Sequence, residues 1–331
     1  MDARFWYSDR RGGRFTYYGL ALLLLWVFPV SAQSYPTKPV RIVVALGAGG
    51  GVDTTARILA QKLTDTWGRQ VVVDDRPGAG GTIATEIVAR SAPDGYVLLI
   101  HSMGFAITPS IYKLKYDAIN DFAPVTLLVD AAQVLVVNPS LPLHSVKELI
   151  SFAKERPNEL SWSSSGKGSP QHLALELLKM ATDIKIVHVQ YSGTLAGMND
   201  LISNRVQVSV AGVVPTKPLL KSGRLRGLAV TGTKRSSAIP QLPTMVEAGV
   251  PNYALDSWYG MFAPAGTPKS IIARLQTVIA TIYSKPDIRA QMLELGCDTV
   301  ALPSDEFSKI VKSDVAKWAY VIGQSNATLE K

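Results

Sequence analysis

Cysteine is nearly absent from this 331-residue chain, which has one, Cys297. A single thiol excludes an internal disulfide, a structural zinc site built on paired thiolates and a dithiol redox pair. The four histidines are scattered, with no H-E-x-x-H motif, so no metal site is expected. A content of 47% hydrophobic and 18% charged residues nevertheless indicates a folded globular chain of about two domains.

Concentrated charge and long apolar stretches are also missing. The formal net charge of +8 is spread thinly, without a basic run of five residues or an interleaved aromatic ladder. This distribution argues against a nucleic-acid partner and is typical of the solvated surface of a mildly basic protein. No stretch after the N-terminal segment approaches the 18 apolar residues of a membrane-spanning helix.

The N-terminal segment, residues 1–32, predicts where the protein is located. Several arginines precede an apolar run at 17–28, which ends at Pro29 and a small-residue site at 30–32. This pattern is typical of a cleaved secretory signal peptide, and the run is short for a hydrocarbon core of about 30 Å. We therefore expect a periplasmic protein whose mature chain begins near Gln33, with a membrane anchor as the alternative.

Apolar runs of strand length alternate with helical patterns along the chain. The first run, 41–46, leads into a glycine loop at 47–51 and a helix for which Asp53 is the expected N-cap. Further strands are predicted at 71–73, 96–100, 134–137, 160–163, 184–189, 206–210 and 225–231. The alternation predicts an α/β fold of parallel βα units, whose ligand sites lie at the carboxyl ends of the strands.

The order of these units predicts two α/β lobes. One lobe should comprise 33–130 together with 257–331, because three helices are predicted after residue 263, and the other should comprise 131–256. Two crossings, near 129–134 and 257–262, would join them. A ligand that contacts both lobes should close the hinge between them.

The glycine and serine loops do not match known cofactor-binding or catalytic motifs. The pattern G-x-G-x-x-G is broken by Val52 when counted from Gly47, and by Ile83 when counted from Gly78. The serines at 163–165 do not form G-x-S-x-G. We therefore expect no catalytic residue, no metal and no cofactor, although an exported α/β hydrolase or transferase stays open as the alternative.

Glycine loops can bind an anion without catalysis. Glycine lets the backbone approach a ligand closely, and helix N-termini present unpaired N–H groups with a partial positive charge. A tight strand-to-helix turn is the alternative role of each loop, and Asp53 is expected chiefly to cap its helix. The predicted ligand-binding residues are Gly49, Gly50, Gly51, Asp53, Ser102, Gly104, Ser164, Ser165, Gly168, Ser169, Tyr191 and Ser192.

Ten short motifs occur in an order that resembles a known family, the periplasmic solute-binding receptors of tripartite tricarboxylate transporters, or Bug-type receptors. The motifs lie at 35–40, 49–53, 75–81, 92–96, 136–139, 165–169, 187–191, 223–226, 247–249 and 262–268. Together they cover nearly the whole mature chain. The sequence departs from the family pattern at Leu46, where relatives often carry proline, and at Gln207 and Ala211, where they often carry aspartate.

The resemblance implies a type II periplasmic-binding-protein fold and no catalysis. It also implies a monomer that holds a small organic acid between its lobes, mainly by backbone groups and partly through water. The partner would be the membrane permease of a tripartite transporter or a signalling receptor, and a sensor-only role is an alternative to transport.

The predicted loops indicate the class of ligand. An amino acid would need an acceptor for its ammonium group, because burying an unpaired charge costs several kcal/mol. Residues 101–110, 163–172 and 190–199 contain no acidic residue. We therefore expect a carboxylic acid without an amine, such as a di- or tricarboxylate, a hydroxy acid or an aromatic acid.

Overall fold

The computed structural model describes residues 35–166, 168–191 and 194–324. The predicted signal peptide and Ser192 lie outside these ranges. The chain divides into two compact units, Met1–Thr37 and Lys38–Lys331, and every element below belongs to the second. Within the described ranges, no helix combines the length and apolar character needed to cross a bilayer.

The described residues form eleven strands and ten α-helices, numbered in chain order. The strands are β1 Val40–Val44, β2 Val71–Asp75, β3 Val97–Ser102, β4 Phe122–Ala131, β5 Gln133–Val137, β6 Ser161–Ser164, β7 Val187–Gln190, β8 Val208–Gly212, β9 Arg226–Val230, β10 Trp258–Pro264 and β11 Cys297–Leu302. The helices are α1 Gly51–Trp67, α2 Thr82–Ala89, α3 Gly104–Ile107, α4 Val146–Glu155, α5 Pro170–Thr182, α6 Thr194–Ile202, α7 Val213–Lys221, α8 Lys269–Tyr283, α9 Pro286–Glu294 and α10 Ser304–Gln324.

The strands form two mixed sheets. A six-stranded sheet has the order β11-β4-β10-β3-β1-β2, and a five-stranded sheet has the order β7-β6-β8-β5-β9. Pairing is parallel among β1, β2 and β3 and among β6, β7 and β8. The prediction of parallel βα units is therefore confirmed for these strands. It is wrong for β5, which runs antiparallel to both of its neighbours.

The two sheets take their strands from different parts of the chain. The six-stranded sheet uses strands from 40–131 and 258–302, and the five-stranded sheet uses strands from 133–230. The chain passes between them at Ala132 and again after β9. The predicted lobe boundaries stay a prediction, and below we call the part that carries the six-stranded sheet lobe 1 and the other part lobe 2.

Two local predictions differ from the structure. Asp53 is not the N-cap of α1, because the helix begins at Gly51 and the extended residue before it is Gly50. The C-terminal segment is also not wholly helical: α8, α9 and α10 are confirmed, but β11 lies between α9 and α10 and pairs with β4. Its sequence, with Asp298 and Thr299 among small apolar residues, lacks the apolar run by which strands such as β1 and β3 were predicted. The strands β4 and β10 were also not predicted.

The core is continuous across both sheets. One cluster of buried side chains includes Val43 and Leu99 from the six-stranded sheet and Leu135 and Trp162 from the five-stranded sheet. Burial of this kind is the main favourable contribution to folding, at roughly 25 cal/mol per Å² of apolar surface. The lobes therefore pack against each other over part of their facing surfaces, and the space left between them contains the site described next.

Candidate functional site

A cavity of about 600 Å³ lies between the lobes. Both lobes and both crossings contribute to its lining. From lobe 1 the residues are Leu46, Gly49, Gly50, Gly51, Val52, Thr54, Ser102, Met103, Tyr259, Leu295, Gly296 and Cys297; from lobe 2 they are Gln133, Pro170, Gln171, Thr194, Leu195, Met198, Gly212, Val213, Val214 and Pro215; and from the crossings they are Ala131, Ala132 and Ser257.

The loop between β1 and α1, residues 47–51, forms one end of the cavity. Gly49 has a φ of 78°, a conformation that favours glycine. Gly50 precedes the helix without a side-chain cap, and the N–H of Thr54 donates to its carbonyl oxygen. The N–H groups of the first helical residues have no acceptor within the helix and lie at its positive end. The N–H of Gly49 donates to Asp53 and that of Gly50 to Gly47, so the donors left for the cavity are those of the first helical turn, from Gly51 onward.

Asp53 stabilises this loop from outside the cavity. Its carboxylate accepts a hydrogen bond from the N–H of Gly49 at 2.7 Å and pairs with Arg57 at 2.7 Å. Burial alone would raise the pKa of Asp53, but the Gly49 N–H and the Arg57 guanidinium outweigh it and hold the pKa below its usual value. Asp53 is buried and does not line the cavity, so it holds the shape of the loop.

Tyr259 lies beside the start of α1, and the sequence analysis did not predict it as a ligand-binding residue. A methyl group on Gly51 would lie 2.6 Å from its hydroxyl oxygen, so only glycine leaves room for the tyrosine there. Burial raises the pKa of Tyr259 well above its usual value, and the hydroxyl therefore stays protonated and can donate. Its neighbour on β10, Trp258, points to the opposite face and donates from Nε1 to Asp314 at 2.7 Å.

The segment after β3 contributes one polar side chain to the cavity. Ser102 lines the cavity, and its Oγ accepts a hydrogen bond from the N–H of Gly104 at 3.2 Å. Gly104 itself begins the short helix α3 and does not line the cavity. The neighbouring His101 is fully buried, which lowers its pKa to about 4 and keeps its ring neutral.

The predicted serines of lobe 2, in the loop 164–169, bond to neighbouring groups of the same lobe. The Oγ of Ser164 lies 2.5 Å from Nε2 of His188 and accepts from the N–H of Gly166. Ser165 donates to Gln171 at 3.1 Å, and Ser169 caps α5 by accepting from the N–H of His172. None of these serines lines the cavity.

Two further predicted residues of lobe 2 also have other contacts. The N–H of Gly168 donates to Nδ1 of His172, and a methyl group on Gly168 would collide with Ile111 of lobe 1. The hydroxyl of Tyr191 donates to Asp200 at 2.9 Å. Lobe 2 reaches the cavity instead through residues that sequence reasoning missed, from the first turns of α5, α6 and α7.

Four helices therefore begin at the cavity. Besides α1, they are α5, which begins at Pro170, α6, which begins at Thr194, and α7, which begins at Val213. Each helix N-terminus carries the equivalent of roughly half a positive charge. Among the described lining residues there is no aspartate, glutamate, lysine, arginine or histidine. The described part of the chain also has no cluster of side chains that could hold a metal ion.

The lobe-2 side of the cavity combines the polar side chains of Gln133, Gln171 and Thr194 with a group of apolar side chains. We define the lobe-2 wall as Leu195, Met198, Val213, Val214 and Pro215, which lie on α6 and α7. The lobes touch at one edge of this wall, where a methyl group on Gly296 of lobe 1 would lie 2.7 Å from the Cβ of Val213. The cavity thus has backbone donors at its lobe-1 end and an apolar wall within lobe 2.

The sequence is similar to those of known proteins. Residues 55–327 match the family model described as tripartite tricarboxylate transporter family receptor. Protein BugT of Bordetella pertussis is 35% identical over 309 residues, which are 91% of this chain and 94% of that protein. A UPF0065 protein in the tcbD-tcbE intergenic region of Pseudomonas sp. strain P51 is 34% identical over 292 residues, covering 88% of this chain and 87% of the relative.

Solved structures share the fold. R. palustris Rpa4515 with adipate is 36% identical and covers 87% of this chain and 97% of its own, with a TM-score of 0.77. The periplasmic binding protein BugD is 33% identical, with coverage of 89% and 100% and a TM-score of 0.75. MatC of Rhodopseudomonas palustris with bound malate is 28% identical, with coverage of 87% and 100% and a TM-score of 0.74. The predicted periplasmic-binding-protein fold is therefore confirmed.

Proposed function

From the premise that the chain belongs to the tripartite tricarboxylate transporter receptor family, we propose that it is a periplasmic receptor for a small organic carboxylate. It captures the acid between its lobes and delivers it to the membrane permease of a tripartite tricarboxylate-type transporter. The periplasmic location rests on the secretory pattern at 1–32 and on the family.

The observation that carries this proposal is the convergence of four helix N-termini on one cavity. Helix N-termini bind anions through their unpaired N–H groups and their partial positive charge. A cavity that is positive without basic side chains suits a carboxylate that must be released again. The adipate and malate bound by two family structures are carboxylates, which supports the same class of ligand here.

The described lining residues also disfavour an amino acid. No acidic side chain lines the cavity in the described residues, so an ammonium group would be buried without a charged partner. The predicted preference for an acid without an amine is thus supported by the whole lining as well as by the loops.

In the proposed site, backbone donors of the first turn of α1, which begins at Gly51, hold the carboxylate, with Ser102 and Tyr259 as side-chain donors. Gly49 and Gly50 donate their N–H groups to Asp53 and to the carbonyl of Gly47, and so set the shape of the loop. Other predicted residues shape the site from outside the cavity, and a direct ligand contact from any of them stays a prediction. They are Asp53, Gly104, Ser164, Ser165, Gly168, Ser169 and Tyr191, together with Ser192, which lies outside the described residues.

Capture would use closure of the lobes. A ligand that contacts α1 in lobe 1 and α5, α6 and α7 in lobe 2 favours the closed arrangement over an open one. Two contacts between the lobes, Gly168 with Ile111 and Gly296 with Val213, would form or tighten in that arrangement. The permease can then distinguish the loaded receptor by its shape.

The proposal is tested by binding and recovery. Mass spectrometry of any molecule that co-purifies, followed by calorimetry with that molecule, should give saturable binding with the ligand recovered unchanged. At 100 times its dissociation constant the ligand should stabilise the fold by about 2.7 kcal/mol. Turnover of the molecule would instead support the alternative of an exported hydrolase or transferase. Loss of ligand uptake in a strain that lacks this protein would distinguish a role in transport from a role in sensing.

A further inference from the structure

The lobe-2 wall has a feature that the capture of a carboxylate does not require. Its side chains offer no hydrogen-bond donor or acceptor, although a small polar acid would need partners on every side. Two of them are exposed: Leu195 is 74% exposed and Val214 is 44% exposed. Both lie on first turns of helices that begin at the cavity.

The exposure of these side chains indicates an occupant that covers them. Single exposed apolar residues are ordinary on protein surfaces. Leu195 and Val214, however, line one cavity, and that cavity continues into the buried side chains of Val213 and Met198. Covering such a surface with apolar ligand atoms would be favourable in proportion to the area removed from water.

The size of the cavity favours the same conclusion. A cavity of about 150 Å³ is enough to hold benzene, whereas this one measures about 600 Å³. A four-carbon hydroxy acid would leave much of that space to water against an apolar wall. An aromatic or longer aliphatic acid would fill it.

The charge available at the cavity limits the number of carboxylates. Four helix N-termini of roughly half a unit each amount to at most about two positive charges, since Ser169 caps α5 and the N–H of Val213 in α7 donates to Ala132. That is enough for one or two carboxylates but not for three, and the described lining residues add no basic side chain. A tricarboxylate is therefore disfavoured.

From these observations we infer that the ligand is a carboxylic acid with an apolar body of roughly six or more carbons, aromatic or aliphatic. Its carboxylate lies at the start of α1 beside Tyr259, and its body lies against the lobe-2 wall. The inference rests on the proposed function and specifies which acids the receptor takes.

The first test is a ligand series on the full mature chain after unfolding, dialysis and refolding remove any bound molecule. Calorimetry compares propionate, hexanoate, octanoate and benzoate with malate and citrate. Affinity should rise by roughly three- to fourfold for each methylene that contacts the wall, and binding of the longer acids should show a negative heat-capacity change.

The outcomes separate the inference from the proposed function. If malate or citrate binds more tightly than every apolar acid, the inference is wrong while the carboxylate receptor stands. If none of these acids binds, both are wrong. If octanoate or benzoate binds most tightly, both are supported.

The second test uses exposed positions, so that folding is not at risk. Leu195→Ser and Val214→Ser should each weaken octanoate binding by roughly tenfold. Val246→Ser is the matched control, because Val246 is 49% exposed and lies outside the cavity. Equal octanoate affinity in all three variants would overturn the assignment of the ligand body to the lobe-2 wall.

Discussion

Two strand-to-helix loops look alike in the sequence and differ in the structure. The first loop, residues 47–51, follows β1, and the second loop, residues 164–169, follows β6. Both are rich in small residues and both precede a helix. The first loop lines the cavity, whereas none of the described residues of the second loop does.

The difference lies in where the polar atoms find partners. In the first loop the N–H groups of Gly49 and Gly50 donate to Asp53 and Gly47, and no side-chain hydroxyl of the loop caps α1, so the N–H groups of its first turn are left for the cavity. In the second loop the hydroxyls of Ser164, Ser165 and Ser169 bond to neighbouring groups. Short polar side chains often satisfy the local backbone in this way. A serine-rich loop is therefore weaker evidence for a ligand contact than a glycine-rich one.

The largest effect is expected from Gly168→Ala in the second loop. Gly168 has a φ of 73°, and the new methyl group would collide with Ile111, so the variant should lose about 2–4 kcal/mol in its free energy of unfolding. Gly223→Ala is the matched control, with a φ of 70° and nothing within 4 Å, and should lose about 1 kcal/mol.

Urea unfolding measures both variants. Adding Ile111→Ala to Gly168→Ala should restore part of the lost stability, because it removes the atom that the methyl group meets. If the two glycine variants lose the same stability, the second loop does not pack against lobe 1 as described.

The next largest effect is expected from Gly51→Ala in the first loop. The methyl group would occupy the space beside the hydroxyl of Tyr259, and ligand affinity should fall by about 10- to 100-fold, or about 1.4–2.8 kcal/mol. Gly47→Ala lies in the same loop with nothing within 4 Å of the new atom, and calorimetry should show unchanged affinity. Equal affinity in both variants would remove the start of α1 from the site.

A smaller effect is expected from Ser169→Ala, which removes the N-cap of α5. Loss of the cap should lower the free energy of unfolding by about 1 kcal/mol. Ser145→Ala removes the equivalent cap of α4, away from the cavity, and should lose a similar amount. Ligand affinity should change by less than about threefold in either variant. A larger loss confined to Ser169→Ala would place the second loop in direct contact with the ligand.

The smallest effect concerns Asp53 and pH. Because its pKa is lowered by folding, its contribution to stability is present above the usual aspartate value of 3.8 and is lost as the pH falls through the folded value. Since Arg57 is half exposed, this contribution should be under about 1 kcal/mol. Asp53→Asn should show a shallower loss of stability on acidification, measured by urea unfolding at several pH values. An unchanged slope would contradict the role of Asp53 in holding the first loop.

The part of the site that could be predicted is local in sequence. Residues 49–51 and Ser102 follow strands that are apolar runs, so their place at the carboxyl ends of strands could be read directly. Leu195 and Val214 were not predicted, because α6 and α7 are each preceded by a single glycine, Gly193 and Gly212, and not by a glycine-rich loop. Tyr259 lies on a crossing strand, and its approach to Gly51 depends on tertiary packing.

The fold was more predictable than the partners of its polar groups. Every strand predicted from an apolar run is present, because such runs fit a sheet covered on both faces. Three strands were not predicted: β4 and β10, although both contain apolar residues, and β11. β11 is a partly polar strand at a sheet edge, paired only with β4 within the described residues. The bonds of Ser164 to His188 and of Tyr191 to Asp200 depend on neighbouring elements that no local pattern specifies.

The alternation of Tyr259 and Trp258 on β10 has a spectroscopic consequence. The tyrosine faces the cavity, while the next indole is buried on the other side of the strand and bonded to Asp314. Because Trp258 and Tyr259 are adjacent in β10, a ligand that moves Tyr259 should also change the position of the Trp258 indole. Tryptophan emission is sensitive to such a hydrogen bond with a carboxylate, so the receptor contains its own fluorophore next to the site. Binding of an acid that has no fluorescence of its own should therefore be measurable, without any label, as a change in the intrinsic tryptophan fluorescence.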